Sequence, residues 1–108
     1  MRKILILLLL VSQAFWAQTA FEQGNKYYEK ENYPAAISKF ESLIQSNKQS
    51  SELYFNLANC YYKIQKVAPA IYNYEKALLL SPNDEEIKTN LEFAKKMAVD
   101  DIKVIPKV

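Results

Sequence analysis

Apolar residues recur at spacings of three and four along most of this chain, which is the pattern of amphipathic helices. The stretch from Ser51 to Asp84 shows the pattern best. Its first helix carries apolar residues at Tyr54, Leu57, Ala58 and Tyr61; its second carries them at Ala70, Ile71, Tyr74, Ala77 and Leu78. Pro69 follows the break between them and suits the first turn of a new helix, where a missing N–H costs nothing. The segment predicts two helices joined by a short turn.

The preceding segment, 17–50, repeats this pattern thirty-four residues earlier. Seven aligned positions are identical: Phe21/Phe55, Asn25/Asn59, Tyr27/Tyr61, Tyr28/Tyr62, Ala36/Ala70, Ile37/Ile71 and Glu41/Glu75. Pro34 stands in the corresponding break, and the second stripe consists of Ala36, Ile37, Phe40, Leu43 and Ile44. Small residues at Gly24, Ala36, Ala58 and Ala70 would let paired helices approach closely. A fixed period of this length is the mark of a helical repeat array.

A fifth helix is predicted at about 84–98. We expect Asn83 to cap it and Glu86 to complete a capping box, with the apolar face made of Ile87, Leu91 and Ala94. This helix would cover the open end of the array, as terminal repeats must. The remaining segment, 99–108, alternates lysines with apolar residues and contains Pro106, so we assign it as a tail or linker.

The first seventeen residues form a segment of their own. Arg2 and Lys3 precede the unbroken apolar run Ile4–Val11, and small residues follow. This layout predicts a secretory signal peptide helix at 1–17, cleaved after Ala17 or, alternatively, after Ala14. Export would place the protein in the periplasm or cell envelope. The alternative is an uncleaved inner-membrane anchor through residues 4–16.

The two repeats resemble the tetratricopeptide repeat (TPR) family. The residues that carry the resemblance are "ANCYY" (Ala58–Tyr62), "AI" (Ala70–Ile71), "YEKALLL" (Tyr74–Leu80) and "SPND" (Ser81–Asp84), with weaker counterparts one period earlier. Glu31 and Gln65 stand where the family commonly has an inter-helix glycine. The resemblance implies an all-α domain at 18–98, a right-handed α-solenoid of two helix–turn–helix repeats (about 17–50 and 51–84) and a covering helix.

A leader followed directly by such repeats and then by "IKVIPKV" (Ile102–Val108) also looks like the start of the TPR-containing proteins of the Bacteroides aerotolerance (Bat) operon. That resemblance implies a periplasmic or membrane-associated assembly factor. Such proteins run on into further segments, so membrane association is expected if the leader is retained or if a C-terminal portion is missing.

Composition argues against catalysis and against nucleic-acid binding. The chain has no histidine, one cysteine and one glycine, which removes the commonest general base, a zinc site and a glycine-rich phosphate loop. We therefore predict no enzymatic activity and no cofactor.

The charge of the chain argues against nucleic-acid binding. Both excess positive charges belong to Arg2 and Lys3. From Gln18 onward twelve basic residues balance twelve acidic ones, without the basic excess that nucleic-acid binding requires. Cys60 is interpreted as a small buried apolar residue.

The candidate binding site lies on the first helix of each repeat and on the fifth helix. In TPR proteins this face typically lines a concave groove that holds a peptide. Its residues here would be Phe21, Asn25, Tyr28, Glu52, Phe55, Asn59, Tyr62 and Phe93. Each repeat contains two adjacent tyrosines, Tyr27–Tyr28 and Tyr61–Tyr62. The first of each pair, Tyr27 or Tyr61, is expected in the core. The alternative is that these positions follow the repeat consensus and pack between neighbours.

Some TPR proteins hold the C-terminal carboxylate of chaperones with a lysine, asparagine and arginine clamp. The matching positions here are Phe21, Asn25, Asn56, Glu86 and Asn90. The basic groups are missing and Glu86 would repel a carboxylate, so that specialisation is not expected. We predict an exported scaffold that binds a protein or peptide partner in envelope complex assembly. The alternatives are a self-associating structural module, such as a homodimer, and a non-catalytic subunit of an envelope enzyme complex.

Overall fold

The computed structural model describes the backbone of residues 2–104 and the side chains of residues 2–102. Within that part of the chain five α-helices follow one another and no strand occurs, which confirms the all-α prediction. They are α1 (Arg2–Glu29), α2 (Tyr33–Gln45), α3 (Ser51–Lys63), α4 (Val67–Leu80) and α5 (Glu85–Val104). Contacts divide the chain into two compact units, one up to Lys48 and one from Gln49 onward.

The first unit is built by the C-terminal part of α1 and by α2. Its core consists of Ala20, Gly24, Ala36, Phe40 and Leu43. The ring of Phe40 lies so close to α1 that a Cβ atom on Gly24 would stand 2.5 Å from it. A real Cβ cannot be accommodated at that distance, so glycine allows the close approach of the two helices.

Helix α1 continues without a break through Ala17, where the leader was predicted to end. No glycine or proline lies between Arg2 and Gln23 to interrupt it. The side chains of Ile4–Val11 are all exposed, and α1 is the one helix of the described chain that is long and apolar enough to cross a membrane. A signal sequence meets the same criteria, and the leader boundary therefore stays a prediction.

The second unit packs α4 between α3 and α5. Short connections join the three helices, so consecutive helices run antiparallel. Its buried apolar residues are Leu53, Tyr54, Leu57, Ala58, Cys60, Ala70, Tyr74, Ala77, Ile87, Leu91 and Ala94. The predicted stripes are largely confirmed, although Leu53 was missed. Tyr61 was expected in the core but is only half-buried, like Tyr27, Tyr28 and Tyr62. A tyrosine has an apolar ring and a polar tip, so it suits the edge of a core as well as its centre.

Three helices end in the same hydrogen-bonded turn. Glu31, Asn47 and Gln65 have φ angles of 61°, 59° and 62°, which is the left-handed region. After α3, the Gln65 N–H donates to the Tyr62 carbonyl and the Lys66 N–H donates to the Tyr61 carbonyl, both at 3.0 Å. These are the two bonds of the Schellman motif, and the same pair closes α1 and α2. Glu31 and Gln65 thus adopt the backbone conformation that glycine adopts most easily.

The starts of α2, α3 and α5 are capped by side chains, whereas α4 begins after Lys66 without a side-chain cap. The Asn32 side chain accepts the Ala35 N–H at the start of α2, and the Ser50 hydroxyl accepts the Leu53 N–H at the start of α3. For α5 the prediction was wrong by one residue: the cap is Asp84, not Asn83. Its carboxylate accepts the N–H groups of Glu86 (3.0 Å) and Ile87 (3.2 Å). An aspartate next to the helix can reach both N–H groups and also complements the helix dipole.

Helix α5 is longer than predicted, because it extends to Val104 rather than ending near residue 98. The segment between Lys96 and Val104 contains neither glycine nor proline, so nothing interrupts the helix. Part of the predicted tail is therefore helical. Pro106 and the rest of 105–108 lie outside the described residues.

The left-handed turns lead to a stability prediction. A residue with a Cβ in the left-handed region costs about 1–2 kcal/mol relative to glycine, so Gln65→Gly should stabilise the second unit by about 1 kcal/mol. For a unit of this size that raises the melting midpoint by roughly 4–8 °C. Thermal denaturation followed by circular dichroism measures the change. The matched control is Lys66→Gly, where φ is −89° and glycine adds only unfolded-state freedom. If both variants lower the midpoint equally, the left-handed conformation does not limit stability.

Candidate functional site

In the first unit, the predicted groove residues contact helix α2. Phe21 packs against the buried ring of Phe40 with centroids 5.8 Å apart and planes tilted by 56°. Tyr28 meets Tyr33 edge to face at 5.4 Å. Both side chains, like Asn25, remain half-buried. Part of each aromatic side chain therefore holds the helix pair together, and part stays accessible.

In the second unit, Phe55 repeats the contact of Phe21. Its ring lies 6.0 Å from that of Tyr74, with an interplanar angle of 54°. The aromatic residue of the first helix thus packs on the aromatic residue of the second helix in both repeats. This arrangement agrees with the alternative interpretation, in which Phe21 and Phe55 follow the repeat consensus.

Asn59 joins three helices through its carboxamide oxygen. The Tyr74 hydroxyl on α4 donates to this oxygen, and the Nδ2 atom of Asn90 on α5 donates to it at 3.1 Å. Because Tyr74 is buried, its hydroxyl group has little access to water as an alternative partner. Asn59 therefore has a structural role in addition to its predicted place on the groove face. The sequence contains one sign of this structural role. Tyr74 of the second repeat has a hydroxyl group, whereas Phe40 at the same position of the first repeat has none.

This hydrogen-bond cluster leads to a second stability prediction. Asn59→Ala removes the oxygen that accepts both the Tyr74 hydroxyl and the Asn90 side chain, so we expect a loss of about 2 kcal/mol in the free energy of unfolding. Tyr74→Phe should cost about 1 kcal/mol, and the double variant should cost less than the sum, because both changes remove the same bond. Urea denaturation of the four proteins measures the coupling. Asn83→Ala, at an exposed position, is the control and should change stability by less than about 0.5 kcal/mol. Additive losses would contradict the shared bond.

A cleft opens between the N-terminal turns of α3 and α5. We call it the α3–α5 cleft; it has a volume of about 240 Å³ and is lined by Ser51, Glu52, Phe55, Asn56, Asp84, Glu86 and Ile87. Two predicted groove residues, Glu52 and Phe55, belong to this lining. Tyr62 and Phe93 lie outside it; Phe93 is exposed on α5. The structure therefore brings Glu52 and Phe55 together with Glu86, which the sequence analysis assigned to a capping box and to the repulsion of a carboxylate but not to the groove.

Charge in the α3–α5 cleft is strongly one-sided. Its lining residues include three carboxylates, those of Glu52, Asp84 and Glu86, and no basic side chain. Asp84 is engaged in capping α5, whereas Glu52 and Glu86 are exposed first-turn residues of their helices. Acidic residues in the first turn of a helix complement the positive end of its dipole. The cleft therefore favours a cationic group beside an aromatic surface and disfavours a carboxylate.

Cys60 is fully buried in the second unit, as the sequence predicted. Burial raises the pKa of its thiol to about 12, so the thiolate required for nucleophilic or redox chemistry is scarce at neutral pH. Cys60 acts as an apolar core residue.

Comparison with known proteins assigns the second repeat. Residues 51–84 match the family model described as "Tetratricopeptide repeat". Over these residues the chain is similar to a tetratricopeptide repeat. The match covers the whole of the predicted second repeat, from the start of α3 to Asp84. The first repeat shares its Schellman turn, its aromatic pair and its buried alanine at the position of Ala70.

Curated relatives extend the similarity beyond one TPR. Sperm-associated antigen 1 of Rattus norvegicus is 32% identical over 79 residues, which is 73% of this chain and 9% of the relative. Dynein axonemal assembly factor 4 of Rattus norvegicus is 40% identical over 62 residues, which is 56% of this chain and 15% of the relative. The Hsp70-Hsp90 organizing protein of Triticum aestivum is 31% identical over 61 residues, which is 56% of this chain and 10% of the relative. The chain thus spans less than a sixth of the length of these relatives.

Proposed function

We propose that this chain is a non-catalytic TPR scaffold that binds a segment of a protein partner. The observation that carries the proposal is the α3–α5 cleft, where Phe55 lies beside Glu52 and Glu86. The names of two relatives support the same class of role, since one is an organizing protein and one is an assembly factor. The cleft lies on the first-helix face that TPR proteins typically use for peptides.

The chemistry of the cleft specifies the partner segment. A lysine or arginine side chain can place its charge between Glu52 and Glu86 and its methylene stem on the ring of Phe55. The Ser51 hydroxyl accepts the Ser81 hydroxyl at 2.9 Å and can still donate its own hydrogen to a carbonyl group of an extended peptide. We therefore propose a basic, extended segment as the ligand. Within each unit the other predicted groove residues stay proposed as further contacts: Phe21, Asn25 and Tyr28 in the first unit, and Asn59, Tyr62 and Phe93 in the second.

A peptide array tests this proposal. The full chain is applied to arrayed 12-residue peptides of varied charge, and the bound peptides are re-measured in solution by fluorescence anisotropy. We expect the bound set to be enriched in lysine and arginine. Glu52→Gln with Glu86→Gln should weaken binding at least tenfold, which is about 1.4 kcal/mol. This pair is a cleaner test than Phe55→Ala, because Phe55 also packs on Tyr74.

The control for this test is Glu92→Gln. Glu92 is an exposed glutamate of α5 that pairs with Lys95 outside the cleft, so its loss should leave binding unchanged. Equal weakening by Glu92→Gln would mean that net charge, not the cleft, attracts the peptides. An acidic bound set, or none, would exclude this cleft as the binding site.

Export is the second part of the proposal. The basic start, the exposed apolar run Ile4–Val11 and the small residues after it support a signal peptide at 1–17. The mature protein would then act in the periplasm or cell envelope, with inner-membrane anchoring through residues 4–16 as the alternative. The leader, the repeats and "IKVIPKV" together support assembly work of the Bat type. A non-catalytic subunit of an envelope enzyme complex is consistent with the same features.

Intact-mass measurement tests export. Expressed in a bacterial host with an intact secretion system, the protein should appear in the periplasmic fraction with Gln18, or alternatively Phe15, as its first residue. Leu8→Arg should abolish processing, because a charge interrupts the apolar run that the export machinery reads. Leu79→Arg changes an exposed leucine in α4; it is the control and should be processed normally. A product that keeps Met1 and sediments with membranes would favour the anchor.

A further inference from the structure

The proposed cleavage site of the leader lies inside a helix. Helix α1 continues on both sides of the Ala17–Gln18 bond without interruption. A side-chain hydrogen bond also spans this bond, since the Thr19 hydroxyl donates to the Phe15 carbonyl at 2.9 Å. Proteases preferentially cut exposed loops, where the backbone is not held by packing and hydrogen bonds. The Ala17–Gln18 bond is therefore poorly presented to a protease while α1 is intact.

The packed part of α1 begins almost directly after this bond. Ala20, the third residue beyond it, is only 5% exposed. Phe21 packs on the ring of Phe40 with centroids 5.8 Å apart, and Gly24 lies against the same ring one turn further on. Unwinding α1 beyond the bond would draw Ala20 out of the core and Phe21 away from Phe40. Opening the site therefore costs part of the stability of the first unit.

The leader side of the bond is not packed in the same way. The side chains of Ile4–Val11, Phe15 and Trp16 are all exposed. Resistance to opening therefore comes mainly from the contact between α1 and α2. The alternative cleavage site, the Ala14–Phe15 bond, lies three residues earlier. More of the helix can unwind around that bond before the core is disturbed, so the structure distinguishes the two sites.

We infer that folding of the first unit protects the Ala17–Gln18 bond from signal peptidase; the inference rests on the proposed signal peptide. Hydrolysis of this bond consumes one water and leaves a carboxylate on Ala17 and an amino group on Gln18. A chain in which α1 and α2 have not yet packed loses its leader, whereas a chain that folds first keeps residues 4–16 and stays anchored. Because the rate of proteolysis follows the open fraction when opening is fast, the stability of the first unit sets the ratio of released to anchored protein.

Cleavage of the purified full chain tests this inference. The chain is incubated in detergent micelles with purified bacterial signal peptidase, and the products are followed by intact mass. Phe40→Ala removes the ring that holds α1, so the product starting at Gln18 should form about tenfold faster than from the parent, or faster still. Gly24→Ala places a Cβ atom against that ring and should give an intermediate rate. Tyr74→Ala removes the corresponding ring of the second unit; it is the matched control and should be cleaved at the parent rate.

The outcomes separate this inference from the signal peptide itself. Cleavage of the parent as fast as Phe40→Ala, or equal acceleration by Tyr74→Ala, would overturn the inference and leave the signal peptide standing. A product starting at Phe15, formed at one rate from every variant, would do the same, because that bond is cut without opening the core. If even Phe40→Ala keeps Met1, the signal peptide and the inference both fail. None of these substitutions changes the leader or a residue that lines the α3–α5 cleft.

Discussion

An aromatic ring from the second helix of each repeat, buried at the centre of its helix pair, is the contact on which the rest of the structure depends. In the first unit the ring of Phe40 lies against Gly24, closely enough that only glycine fits. In the second unit Tyr74 has the same place. Phe21 and Phe55 pack on these two rings from the first helices. Removing such a buried ring typically costs about 3–5 kcal/mol, comparable with the whole stability of a small domain.

Periodicity made the helices and their core predictable, because each repeat constrains the interpretation of the other. The ring positions, the buried alanines and the order of the helices all follow from the 34-residue period. Helix ends did not follow from it. The N-cap of α5 is Asp84, and the helix extends to Val104. Hydrogen bonds between near neighbours decide where a helix begins and ends, and neighbouring end positions differ little in energy. The left-handed turns at Glu31 and Gln65 could be located only through the glycine that related repeats place there.

The candidate site was predicted less completely than the core, for a geometric reason. Helical spacing tells which residues share a face, but not what lies opposite that face. Phe55 and Asn59 are one turn apart on α3, yet Phe55 borders the open α3–α5 cleft while the oxygen of Asn59 bonds to Tyr74 and Asn90. That difference depends on how α5 packs and on one hydroxyl group that Phe40 lacks. The acidic character of the cleft likewise arises only when α5 brings Glu86 to Glu52.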